Sequence, residues 1–118
     1  MVRGATPQRG DIWWVLLKRP RGSEPGYRHP LLIVQSDTFN RSRIGTIIGA
    51  ALTSNLQRAA APGNVELSRK DSGLPRKSVI NVSQLVTLDK SFLTKRAGRV
   101  SAATLERVTD GLRLVLGI

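Results

Sequence analysis

Apolar positions along this chain fall into three patterns. Asp11 to Leu17, DIWWVLL, is a run of aromatic and branched residues that predicts a strand. Leu31 to Gln35, LLIVQ, is apolar on both faces, as a central strand is, and Pro30 should open it, where a missing N–H does least harm. Thr46 to Thr53, TIIGAALT, predicts a third strand, with Gly49 and its two alanines marking tight packing or a bulge. Asn64 to Leu67 alternates and reads as a short, half-exposed strand. Ser78 to Leu88, SVINVSQLVTL, alternates with one interruption, which predicts one strand or two with a kink between them. The last pattern is helical. Leu105, Val108, Leu112, Val115 and Leu116 recur at the spacing of one helix face, with Ser101 placed as N-cap and Gly117 as the C-terminal stop.

The segments between are punctuated by turn formers. Residues 18–27, KRPRGSEPGY, hold two prolines and two glycines and can only be a loop. Asn55 to Gly63 and Ser68 to Lys77 are further connections, the second basic. Asp37 to Arg43 is polar enough for one helical turn, and Asp89 to Lys95 predicts a short helix capped by Asp89. Short strands, basic loops and one closing helix give a mainly β chain with α (α+β). The expected architecture is a small, twisted, antiparallel sheet curled toward a barrel, with a C-terminal helix and one or two short helices. The length fits a single domain over residues 1–118.

Composition removes several chemistries. The chain has no cysteine and one histidine, His29, which excludes disulfides, thiol nucleophiles, Cys-ligated metals and multi-histidine metal sites. Neither a P-loop nor GxGxxG is present. Glu24, Asp37, Glu66, Asp71 and Asp89 are scattered, without the clustering a magnesium-dependent nuclease requires, so no metal and no cofactor is expected. The longest apolar run, Ile12 to Leu17, is far short of the roughly 20 residues of a membrane span, and MVRGATPQRG has no apolar core for a secretory signal. The chain reads as soluble and cytoplasmic, with no membrane partner.

Charge adds a partner class. The formal net charge is +11, from 19 Lys and Arg against 8 Asp and Glu. From Ser101 onward Arg107 and Arg113 are balanced by Glu106 and Asp110, so the whole excess lies in residues 1–100. Fourteen of the cations are arginine, which suits forked contact with phosphate. Nucleic acid is the favoured partner, and at 4% aromatics it is held mainly by charge.

The densest chemistry lies at Gly22 to Pro30, GSEPGYRHP, where Ser23, Glu24, Tyr27, Arg28 and His29 lead into a buried strand. A base, an acid and a cation on the lip of a sheet are what phosphodiester cleavage without metal needs. The plainer alternative is a Glu24–Arg28 surface pair beside a structural histidine. Thr53 and Ser54, ending the third strand, offer hydroxyls to a phosphate oxygen; strand termination and a turn explain them equally well.

Four segments then stand in a telling order: RGDIWWV (9–15), GSEPGYRHPLLIVQSDTFN (22–40), ALTSN (51–55) and SVINVSQLVTLDKSFL (78–93), followed by the helical tail. Together they resemble the MazF/PemK family, ribonuclease toxins of bacterial toxin–antitoxin pairs. The resemblance implies an SH3-like barrel, a homodimer, and metal-free, sequence-selective cleavage of single-stranded RNA (messenger RNA, or transfer or ribosomal RNA). It also implies a cognate acidic antitoxin whose flexible segment occupies the RNA groove, and DNA binding by the toxin–antitoxin complex. Thr53 matches a catalytic threonine of the family. Where the family has a catalytic arginine before the proline of the second strand, this chain has His29, with Arg28 one position earlier. Neighbours in a strand point to opposite faces, so which of the two meets the phosphate is open. Glu24 matches an acidic residue of the loop lining the RNA site, and Ser78 and Gln84 fall near the groove. Ser23, Tyr27, Ser54, Arg21 and Lys77 complete the candidate RNA contacts, with base selectivity expected from loops 18–27, 55–63 and 68–77. Two further readings stay open on the residues alone: a non-catalytic RNA-binding barrel, and an interaction domain for an acidic protein.

Overall fold

The computed structural model describes residues 6–16 and 28–118. Alternation along the first strand, β1 (Asp11–Leu16), sets the architecture. Ile12 and Trp14 join one apolar cluster, Trp13 and Val15 another. β2 (Arg28–Ile33) and β3 (Thr46–Thr53) divide in the same way: Leu32, Ala50 and Leu52 go to the first cluster, Leu31, Ile33 and Ile47 to the second. Central strands covered on both faces explain why these segments read as nearly continuous apolar runs.

With β4 (Val65–Leu67), β5 (Ser78–Asp89) and β6 (Leu93–Arg99), the strands form one antiparallel sheet in the order β4-β5-β3-β2-β1-β6. The expected kink lies in β5. Ala50 pairs with Leu85 but Ala51 with Asn81, so Val82 to Gln84 bulge out of the ladder. The amide of Val82 is satisfied there by Asn64 Oδ1 at 3.0 Å. Gly49 lies against the Leu31 side chain and the Leu32 carbonyl, leaving no room for a Cβ, so it serves close strand packing. The sheet edges β4 and β6 are bridged by a short helix, α2 (Arg69–Ser72), capped by Gly73 with φ +73°. Gly73 abuts the Ala97 carbonyl, and Gly98 abuts Ser72 in return. The curled, barrel-like sheet is thus closed at its seam by a helix cap.

A one-turn helix, α1 (Asp37–Asn40), follows β2, and α3 (Ala102–Leu116) closes the chain. Ser101 caps α3 through Thr104 N at 3.1 Å, and Gly117 ends it in the left-handed region.

Three expectations need correcting. Pro30 is the third residue of its strand, not the first; β2 pairs with β1 from Arg28, while pairing with β3 begins only at Leu31. Asp89 does cap a turn, accepting from Ser91 N at 2.8 Å, but the turn is a single 3₁₀ one over Lys90–Phe92. Leu93, fully buried, starts a sixth strand there instead of extending a helix. The helix stripe is shorter than expected. Leu105, Val108 and Leu112 pack on the first apolar cluster, joined by buried Thr104 and Gly111, but Val115 and Leu116 are exposed. Gly111 sits directly against the Gly63 backbone, a close approach that leaves no room for a Cβ. Loop 55–63 contains a 3₁₀ turn over Leu56–Ala60, N-capped by Asn55.

Among the described residues no helix is long and apolar enough to cross a membrane.

Candidate active site

One end of the sheet gathers the start of β2, the end of β3 and the start of β5. Between them lies a cleft of about 330 Å³ whose lining includes His29, Thr53, Ser54 and Ser78, all predicted site residues. The ladder explains the meeting of the first two. The paired ladder stops at Leu31–Ala51, and His29 and Thr53 each lie two residues beyond it, on the ends of the two strands that border the cleft. Trp14, Leu52, Leu74 and Pro75 supply apolar walls, and Arg76 brings a cation into the lining.

Each side chain has a defined state. His29 is half-buried, and this burial pushes its imidazole pKa below the ordinary value; a hydrogen bond to the Leu52 backbone opposes the shift. In the neutral form one ring nitrogen carries no proton and can accept one. Thr53 Oγ1 accepts from Asn55 N at 3.1 Å, which fixes the hydroxyl and presents its own hydrogen as a donor. Ser54 is exposed. Ser78, buried, donates to the Arg76 carbonyl at 3.0 Å and so holds the backbone that carries Arg76.

Arg28 points to the other face of β2. Its guanidinium lies 4.5 Å from the centroid of the Trp14 ring, a wall of the cleft, and Arg28 is not itself among the lining residues. Lys77 pairs with Glu66 at 2.6 Å and is not among the lining residues; Arg76 holds that place. Gln84 lies in the β5 bulge, away from the cleft lining. Arg21, Ser23, Glu24 and Tyr27 lie outside the described residues.

Trp14 and Arg76 were not singled out by the sequence reading. A signal for Trp14 existed: adjacent tryptophans in a strand must face opposite ways, so Trp13 and Trp14 cannot share one core. Nothing local distinguishes Arg76 from Lys77.

Comparison with known proteins places this geometry. Residues 8–116 match the family model described as PemK-like, MazF-like toxin of type II toxin–antitoxin system. The chain is 48% identical over 110 residues to the endoribonuclease MazF6 of Mycobacterium tuberculosis strain H37Rv, covering 93% of this chain and 96% of that protein. It is 35% identical over 111 residues to the endoribonuclease EndoA of Bacillus subtilis strain 168, covering 94% and 95%. Among solved structures, an endoribonuclease from a mycobacterial species in complex with its cognate antitoxin superposes with a TM-score of 0.76 at 26% identity, over 95% of this chain and 96% of that one. MazF from Deinococcus radiodurans shares the fold with a TM-score of 0.77 at 23% identity, over 97% and 99%. A match across nearly the whole chain, on a barrel whose strand ends bring His29 and Thr53 into one cleft, makes this protein a member of the PemK-like, MazF-like toxins of type II toxin–antitoxin systems.

Proposed function

We propose that residues 1–118 act as a single toxin domain that cuts single-stranded RNA, messenger RNA first, without a metal ion. The observation that carries this reading is the pairing of a neutral, partly desolvated His29 with Thr53 in one cleft. RNA supplies its own nucleophile, the 2′-hydroxyl. The acceptor nitrogen of His29 takes that proton as the 2′ oxygen bonds to phosphorus and the P–O5′ bond breaks. Glu24 is assigned the return of a proton to the departing 5′ oxygen. Thr53 donates to a non-bridging phosphate oxygen, and Arg28 and Arg76 set positive charge around the phosphorane. The products are a 2′,3′-cyclic phosphate and a 5′-hydroxyl. Ser23, Tyr27, Ser54, Ser78, Gln84, Arg21 and Lys77 remain the candidates for binding the RNA strand.

Two partners belong to this reading. The mycobacterial neighbour was solved with its cognate antitoxin, and a chain of charge +11 fits an acidic antitoxin laid along the same groove. A homodimer follows from the family resemblance.

The test is incubation of a defined RNA with the purified protein in EDTA, with end-group analysis of the fragments. His29→Ala should lose about 10²- to 10⁴-fold in kcat, the usual range for a positioned base. Thr53→Ala should lose about 10- to 150-fold, as for a hydrogen bond to a charged group. Dependence on added magnesium, or wild-type activity in both variants, would refute the mechanism. RNA bound but left intact would favour a non-catalytic binding barrel.

A further inference from the structure

The two tryptophans of β1 differ in a way the cleavage chemistry does not use. Trp13 is 2% exposed and belongs to the second core cluster. Trp14 is only partly buried and forms a wall of the cleft beside His29 and Thr53. Across β1–β2 it faces Pro30, and across β1–β6 it faces Lys95, so one sheet face carries the row Lys95, Trp14, Pro30. Arg28, two residues before Pro30 and therefore on that same face, lies over the indole at 4.5 Å. Among the described residues Arg28 has no carboxylate partner; the aromatic ring is what holds it. A guanidinium over an indole has a second face able to stack on a base and edge N–H groups able to meet phosphate.

We propose that Trp14 and Arg28 form a stacking platform for one unpaired nucleobase adjoining the scissile phosphate, with Trp14 acting on substrate affinity and Lys95 extending the face toward the next phosphate. The proposal rests on the RNA-cleavage reading above and adds where the strand is gripped. It also fits a chain with few aromatics: one base position is stacked, and the rest of the strand is held by charge.

The test uses the full-length protein and an RNA with a mapped cut site. Trp14→Leu should raise KM about 5- to 150-fold, the worth of one base stack, with kcat within about threefold of wild type. Trp14→Phe should restore most of the affinity. An abasic nucleotide beside the cut site should weaken binding to the wild type by the same factor and add nothing in Trp14→Leu. Because Trp13 is buried, tryptophan quenching by a non-cleavable RNA carrying a 2′-deoxy sugar at the cut site reports Trp14. Effects of Trp14→Leu and the abasic site that multiply independently, a loss in kcat with KM unchanged, or no quenching would overturn the platform while leaving the nuclease intact. If the wild type leaves RNA uncut, the cleavage reading falls. The quenching titration, together with binding of the abasic RNA to unmutated protein, then decides the platform alone.

Discussion

At the scale of single residues, His29 carries the most consequential chemistry. Its pKa in the fold lies below the ordinary imidazole value of about 6.5, with burial as the main cause. Between the folded and ordinary values the unfolded chain binds the additional proton, so stability rises with pH across that window. The stabilisation from a neutral His29 is complete above about pH 6.5, is lost as pH falls toward the folded value, and changes no further below it. Thermal melts from pH 8 to pH 5 should show this decline in the wild type, and His29→Gln should flatten it. The acid limb of kcat/KM should likewise fall below the ordinary imidazole value; a limb well above it would mean that His29 is held charged and cannot be the base. Gly49 supports a second residue-scale prediction. A Cβ there overlaps the Leu31 side chain and the Leu32 carbonyl, in the strand pair that positions His29 against Thr53. Gly49→Ala should cost about 1–3 kcal/mol in denaturant melts, as overpacking does, and should depress cleavage as well.

At the scale of elements, α3 gives the cleanest prediction. Its N-cap is a single hydroxyl, Ser101 Oγ, accepting from Thr104 N at 3.1 Å. Ser101→Ala should lower stability by about 1 kcal/mol, a loss of a few degrees in Tm, and leave kcat untouched because the helix lies outside the cleft lining. These caps were legible in the sequence, since capping depends on neighbours one turn away. The apolar runs of β1 to β3 were legible for a related reason: strands buried on both faces must be apolar throughout. β6 was not. Its sequence, LTKRAGR, is that of a charged edge strand, and two register shifts against β1 break the period of two. The candidate site divides along the same line. His29, Thr53, Ser54 and Ser78 stand at or beside strand ends, where polar residues stand out against apolar runs. Trp14 and Arg76 reach the cleft only through pairing between distant segments, which no local pattern encodes.

At the scale of the whole molecule, charge divides the protein by element. All of the +11 excess precedes Ser101, while α3 is neutral and pairs Arg113 with Asp110 at 3.8 Å. RNA affinity should therefore depend steeply on salt, because each phosphate neutralised releases counterions, with a log–log slope of about 0.7 per phosphate on a single strand. The catalytic step should not share that dependence: His29 and Thr53 act in a partly enclosed cleft, and kcat should stay nearly flat as KM rises with sodium chloride. Arg76→Gln, which removes a cation of the lining, should reduce the slope of log KM against log salt by about 0.7. Arg107→Gln and Arg113→Gln on α3 should leave it where it was. Equal slopes in all three variants would mean that RNA crosses the surface by a path other than the His29–Thr53 cleft. A drop confined to the α3 variants would place the nucleic acid on the helix, against the charge balance of the chain.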